Sequence, residues 1–415
     1  MDAVFADWIN LLLRWLHVVA AIAWIGESIY FVMLDNSLRP PRSEEKKKLG
    51  MFGEMWAVHG GGFYNNQKFL TNPPELPDDL HWSFWKSYAT WLSGFALFSV
   101  LYLASPDLYL INPSAPWDWA AQLSGVDAAG TALCFLAGGW FVYDQLCRLI
   151  SPNMERDGLL SVAVALMMVA VAYLCSHIFQ GRAAFLITGA VMATSMSANV
   201  FFWIIPGQRR MVAALKAGEK PNPLDGKRGK QRSVHNTYFT LPVVFLMISN
   251  HYAFTYGSDK AWIVMVLFIA AGALIRQFFV LRHSGRNVWA LPVAGVALLM
   301  VNAYLTAAST GASAAASVPS TPAQGQAGAP AHTGEAGLPE VTAILRERCV
   351  ACHAVHPTQP GFAAPPAGIR LDSDAAVLAA AARLKKAVAT NYMPLGNLTQ
   401  MTPDERALIA RWSGR

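Results

Sequence analysis

Cys349-Val350-Ala351-Cys352-His353 is the stretch from which the rest of the chain is best read. It is a C-x-x-C-H, the attachment pattern of c-type haem. Two thiols three positions apart can each bond one vinyl group of the same porphyrin. The next side chain, His353, then lies under the ring as an iron ligand. Two blander readings compete. A zinc half-site would need a second Cys/His pair at ligand spacing, and His356 alone does not supply one. A thioredoxin-like redox pair would sit in a βαβ pattern, which is absent around it. The expectation is one covalent haem c on Cys349 and Cys352, with His353 on its iron.

The flanks fit that expectation. Residues 338–415 have the size of a small cytochrome c domain. Residues 339–348 read as a short helix that delivers Cys349. Thr402-Pro403-Asp404-Glu405 is a helix start, with Thr402 as N-cap, Pro403 at N1 and Glu405 completing a capping box. The helix that follows is expected to turn Ala407, Leu408 and Trp412 to one side. The sixth iron ligand is expected at Met393, in Asn391-Tyr392-Met393-Pro394, a loop shaped also by Gly396; Met401 and His356 stay open as alternatives. A thioether ligand raises the potential, as an electron acceptor requires. Pro365-Pro366-Ala367-Gly368 resembles the turn that backs the proximal histidine in small cytochromes c. Upstream, residues 308–337 are rich in Ala, Gly, Ser, Thr and Pro and read as a flexible tether, with an r.m.s. reach on the order of 30 Å.

The remaining residues, 1–307, belong to a different solvent. The whole chain has 415 residues, 54% of them hydrophobic and only 14% charged, where soluble domains carry about 25% charged residues. Eight spanning helices are expected near 8–34, 86–104, 128–150, 158–178, 183–205, 237–256, 261–281 and 288–307, each close to the ~20 residues a bilayer requires. The fold class is thus all-α: a polytopic membrane bundle followed by a small cytochrome c domain. The net charge of +6 does not imply a nucleic-acid partner, because the basic residues sit in loops between apolar runs. Arg39, Arg42 and Lys46 to Lys48 mark the first long loop as cytoplasmic, and 105–127, without Lys or Arg, faces out. Arg148 and Arg156, then the basic run from Arg209 to Arg232, then Arg282 and Arg286 continue the alternation. Both termini come out periplasmic in a bacterial inner membrane, which is the compartment where haem c is attached. Met1-Asp2-Ala3-Val4-Phe5-Ala6-Asp7 is acidic where a signal peptide has a basic start. Cys134, Cys147 and Cys175 fall in apolar segments and read as packing.

Ionisable side chains inside spans are functional candidates by default. Arg14, His17 and Glu27 lie in the first expected helix, Asp144 in the third, His177 in the fourth, His251 in the sixth and Arg276 in the seventh. The alternative for each histidine is hydrogen-bonded packing, and for Asp144 and Arg276 it is pairing or snorkelling. As a set, His17, His177 and His251 are candidate ligands for a haem b. The loop 35–85 contains Gly53-Glu54-Met55-Trp56-Ala57-Val58-His59-Gly60-Gly61-Gly62-Phe63-Tyr64, read as backbone approaching a ligand or as an interfacial amphipathic segment. A surface helix is expected at 208–217.

Arg14-Trp15-Leu16-His17-Val18-Val19-Ala20-Ala21-Ile22-Ala23-Trp24-Ile25-Gly26-Glu27-Ser28 resembles the opening of the membrane-integral, cytochrome c-linked urate oxidases (urate hydroxylases) of bacteria. So do the Glu54–Tyr64 segment, the eight-helix layout and the tethered tail. The resemblance implies oxidation of urate to 5-hydroxyisourate, with the haem c as electron acceptor and a further cytochrome or terminal oxidase downstream. Water then supplies the oxygen and no hydrogen peroxide forms. It implies no individual urate-binding residue. If urate enters from the cytoplasm, electrons must cross most of the bilayer and need an intermediate carrier. If it enters from the periplasm, they do not, and Arg182 and His177 become site candidates. The rival reading is a respiratory subunit passing electrons from quinol to cytochrome c.

Overall fold

The structure is a computed structural model. It describes residues 3–414 except 71–72, 114, 257–259, 284, 316–335, 360–364, 390–392 and 395–398. Most of the tether therefore lies outside the described residues.

The apolar runs fold as long helices. These are α1 (Ala3–Ser37), α2 (Trp85–Phe98), α3 (Gly125–Ile150), α4 (Asp157–Ile178), α5 (Gly181–Ala198), α6 (Ile205–Lys216), α7 (Pro223–Ile248), α8 (Ala261–His283) and α9 (Ala290–Ala315). Eight helical rods thus stand where eight spans were expected, because α5 and α6 are one rod joined by a π turn at Asn199–Ile204. Pro206 lacks the N–H that would close the preceding α turn, and the helix widens just before it. The expected surface helix at 208–217 is the end of this rod. A second π turn, Ser99–Leu103, extends α2.

Six rods among the described residues are long and apolar enough to cross a bilayer. The other two are α2, which is short, and α7, whose first half is charged. Outward faces of the bundle expose Trp15, Ile22, Phe141, Leu149, Leu166, Val293 and Met300. A row of large apolar side chains facing outward suits hydrocarbon and not water. The interior is closed by Phe98, Tyr102, Leu136, Met168, Phe185, Met192, Leu246 and Met265, held in a lipid surrounding by close packing and not by removal from water.

Three expectations need correction. The chain is not all-α. Gly53–His59 and Gly62–Lys68 form an antiparallel hairpin, β1 and β2, in register from Gly53 opposite Lys68 to His59 opposite Gly62. Gly60 (φ 59°) and Gly61 (φ 79°) supply the two left-handed residues of a tight turn. The glycines are hairpin chemistry, not an approach to a ligand. Next, α7 begins at Pro223, capped by the Asn222 side chain accepting from the Leu224 N–H, so a stretch read as basic loop is helical. It also ends at Ile248, which leaves His251 in a 3-10 turn (Ser249–His251) outside any span. Finally, α9 continues to Ala315, into the stretch read as tether.

The tail folds as α10 (Leu338–Arg348), the turn Val350–His353, α11 (Asp374–Ala389) and α12 (Pro403–Arg411) around its own core of Val341, Leu345, Leu371, Val377, Leu384, Met401, Ile409 and Trp412. The capping box is present: Thr402 Oγ1 accepts from the Glu405 N–H, and Glu405 accepts from the Thr402 N–H. The buried residue of α12 is Ile409, with Leu408 half-buried and Ala407 exposed. The helix phase is one residue off the face expected.

Candidate functional site

The Cys349–His353 turn is built by short-range hydrogen bonds. Cys349 closes α10 by donating its N–H to the Leu345 carbonyl, and the N–H groups of Cys352 and His353 both donate to the Cys349 carbonyl. That single turn places two thiols and one imidazole on neighbouring positions. His353 Nδ1 lies 2.9 Å from the Ile369 carbonyl. As the donor, Nδ1 fixes the tautomer and leaves Nε2 with a free lone pair. Burial holds the His353 proton affinity below the ordinary histidine value, against the opposing pull of that carbonyl. A neutral imidazole is the form that ligates a metal. Burial, helped by the Cys352 thiol and Glu405, pushes the Cys349 thiol up to about 12, so it rests as a thiol.

Met393 sits in a loop tied at both ends. Its N–H donates to the Ala387 carbonyl at the end of α11, and its own carbonyl accepts from Arg406 Nη1 at 2.8 Å. The alternatives fare differently. Met401 is 2% exposed and spent on the core, while His356 is on the surface. Asn391, Tyr392 and Gly396 lie outside the described residues. No three His, Cys, Asp or Glu side chains among the described residues converge as a metal-ion site, so the zinc reading gains no second pair. Two cysteines, a tautomer-fixed buried histidine and a half-buried methionine on an anchored loop fit a covalent haem.

The three candidate histidines make separate contacts. His17 Nδ1 contacts the Thr90 carbonyl (3.0 Å) and Ser93 Oγ (3.2 Å). A Cβ on Gly94 would stand 2.7 Å from His17 Cε1, so Gly94 is what lets α1 close on α2 here. His177 Nδ1 contacts the Tyr173 carbonyl, and its ring lies tilted against Tyr173 (4.0 Å) and stacks on Trp117 (5.2 Å). His251 is exposed. Among the described residues no hydrogen bond or ring contact joins any two of the three; His17 reaches across to α2, and His177 bonds back within α4.

Two polar clusters are assembled instead. One is a clasp between α3, the π turn and α7. Asp144 accepts from Arg232 Nη2 (2.8 Å), Arg148 Nε (2.6 Å) and Trp203 Nε1 (2.7 Å). Tyr143 Oη meets His235 Nδ1 at 2.8 Å and accepts from Asn199 Nδ2, which also donates to Asn236. The sequence had shown Asp144 alone; its partner lies 88 residues on.

The other cluster lies where the tail meets the bundle. Arg182, the second residue of α5, donates from Nε to Asn250 Oδ1 (3.3 Å) and lies over the rings of Tyr109 (5.5 Å) and Tyr102 (6.0 Å). Tyr102 Oη donates to the same Asn250 oxygen at 3.2 Å. Gly181 is obligatory there, since a Cβ would come within 2.4 Å of the Tyr256 carbonyl oxygen. The tail touches this face. Its turn Pro366–Gly368 packs on α5 and on Ala253–Tyr256, while α11 packs on Pro106–Tyr109. Lys386 Nζ lies 3.7 Å from Asp107 Oδ2.

With this geometry in view, comparison with known families is informative. The sequence model described as urate oxidase N-terminal matches residues 3–307. The chain belongs to the urate oxidase N-terminal family. The match covers the whole helical bundle, including the clasp and the Arg182 cluster, and stops before the C-x-x-C-H tail. No curated protein and no solved structure matches the chain. Membership makes urate the substrate class to weigh, and the bundle the place to look for its site.

Proposed function

We propose that this member of the urate oxidase N-terminal family is an integral-membrane urate oxidoreductase. It converts urate to 5-hydroxyisourate and passes the electrons to a haem c held by Cys349, Cys352, His353 and Met393. The tail face is the periplasmic one, as the loop charges imply. From there electrons leave for a downstream cytochrome or terminal oxidase. The observation that carries this reading is the seating of the tail. The Pro366–Gly368 turn leads directly into Ile369, which holds His353, and it packs on α5, whose second residue, Arg182, meets Tyr102, Tyr109 and Asn250. Urate at that junction has no membrane to cross to its electron acceptor.

The chemistry balances without dioxygen. The urate monoanion plus one water gives 5-hydroxyisourate, one proton and two electrons. The water oxygen bonds to C5 and the electrons leave one at a time. Arg182 offers a fork of N–H donors to the anionic ring, and Asn250 an amide for its carbonyl or N–H edges. Tyr102 and Tyr109 offer apolar faces against which a purine can lie. The haem, when bound, supplies a one-electron acceptor whose potential a thioether ligand raises. His177 stacks on Trp117 and lies tilted against Tyr173.

Anaerobic addition of urate to oxidised, purified protein tests the proposal. The expected result is full development of a reduced c-type α-band. Absence of reduction by urate, with prompt reduction by quinol, would instead support the respiratory-subunit reading. In Cys352→Ser the covalent haem is weakened or lost, and urate turnover by membranes should fall with it. Unchanged turnover would remove the tail from the reaction.

A further inference from the structure

A second cavity, of about 540 Å³, opens between α1, the approach to α2, and helices α6, α7 and α8. It lies far from the tail: Arg276 is on the order of 20 Å along α8 from the tail-side end of that helix. Its charges can be accounted for one by one. Glu27 is taken by Lys86 (2.6 Å) and Ser83. Asp35 is taken by Lys68 (2.6 Å), with Lys230 at 3.6 Å. Arg276 has no acid. Its Nε is buried and has no hydrogen-bond partner among the described residues, although the group lines the cavity. A buried guanidinium donor left without an acceptor costs about 1–3 kcal/mol or more. No described side chain satisfies it, which leaves it to a ligand or to water in the cavity.

The walls say what kind of acceptor. Trp24, Phe31, Trp82 and Tyr238 present aromatic surface, and Gln208 an amide. An inorganic ion would leave most of this space and all of these rings unused. A flat organic anion with carbonyl and N–H edges uses the rings, the amide and the guanidinium together. We infer that the Arg276 cavity is a second binding site for a planar aromatic anion, separate from the Arg182 junction. The inference rests on the urate reading in one respect, namely that urate itself is the probe of choice. A chain with one such site toward each end of its bundle can collect its substrate from one face and oxidise it at the other.

Equilibrium dialysis of radiolabelled urate against the full-length protein, held reduced so that no turnover occurs, tests this. Two sites per chain are expected. Arg276→Gln should leave one, with at least tenfold loss at the other, and Arg182→Gln should leave the complementary one. Trp82→Ala should weaken only the Arg276 site, several-fold. Thermal unfolding gives the control: removing an unsatisfied buried charge should leave Tm unchanged or raised, whereas a structural arginine would lower it. Two sites that survive Arg276→Gln unchanged would overturn the inference. So would a Tm that falls by many degrees in Arg276→Gln while Trp82→Ala binds urate as before. Displacement of urate from the Arg182→Gln protein by equimolar phosphate would overturn the planar class. A single wild-type site, lost in Arg182→Gln alone, would overturn this inference and leave the proposed function standing. No binding at all by wild type would sink both.

Discussion

Arg232 and Arg276 stand in neighbouring helices of one bundle, and the protein treats them in opposite ways. Arg232 is 2% exposed and has its acceptors built in: Asp144 at 2.8 Å and Asn199 at 3.4 Å, with the rings of Tyr143 and Trp203 beside its guanidinium. Arg276 has Nε buried and nothing described to receive it. Away from water, a charge that the fold uses is paired, and a charge that a ligand uses waits. At the Arg182 junction the cation meets a neutral amide and aromatic faces. Completeness of pairing, not the presence of charge, is what marks a site in this bundle.

The contrast can be broken most violently at the clasp. Arg232→Met leaves Asp144 with Arg148 and Trp203 only, in a low-dielectric interior. Removing one member of a buried pair is expected to cost about 3–5 kcal/mol, enough to lower the yield of folded protein severely. Asp144→Leu together with Arg232→Met should recover much of the loss, because neither charge is then stranded. Detergent-solubilised yield and Tm of the single and double variants measure this. Equal damage in both would mean that the clasp acts through packing and not through charge.

Arg182 should behave differently. Arg182→Gln keeps an amide able to reach Asn250, so folding and haem content are expected to hold. What falls is the grip on an anion. Loss of one charge-assisted hydrogen bond is worth about 1.5–3 kcal/mol, or roughly a 10- to 100-fold rise in KM for urate, with Arg182→Lys recovering part of it. Normal kinetics in Arg182→Gln, beside abolished oxidation in Arg276→Gln, would move the chemistry to the deeper cavity and reverse the assignment of the two sites.

What could be read beforehand follows the range of the interactions. The C-x-x-C-H turn, the Thr402 capping box and the long apolar helices are local, and each is written within one stretch of chain. The clasp is not. Tyr143 and Asp144 meet Asn199, Arg232, His235 and Asn236 only because α3, the π turn and α7 converge, and no spacing in the sequence announces it. The first half of α7 was hidden for a related reason. Lys227, Arg228 and Lys230 look like a topology signal, whereas Gln231 and Arg232 on the same helix find partners in the half-buried Asp157 and the buried Asp144. The candidate histidines are ambiguous because an intramembrane imidazole looks the same in sequence whether it ligates iron or, like His17, bridges two helices. Arg182, by contrast, was already a candidate, as a lone cation in an otherwise uncharged turn.

The smallest effect is expected at the hairpin, where pairing is complete but near the surface. Glu54 is a buried carboxylate that accepts from Lys46 Nζ (2.6 Å), Asn65 Nδ2 (3.0 Å) and the Arg42 N–H (3.1 Å). Lys46 foremost, then the Arg42 N–H and Asn65, hold its carboxyl at about 2, against an ordinary value of 4.5. A folded-state value below the unfolded one adds stability that is present in full above pH 4.5 and is lost as pH falls toward 2. Hydrogen exchange at the amides of Gly53–Lys68, corrected for intrinsic rates, should therefore speed up on acidification through that window. Glu54→Gln keeps the shape but not the charge. It should exchange faster at neutral pH and show no added acceleration between pH 4.5 and 2. A wild-type hairpin whose protection stays flat across that window would show that strand pairing and the Gly60-Gly61 turn hold it without the carboxylate. Completeness of pairing would then matter only in the membrane interior, where water cannot stand in for a missing partner.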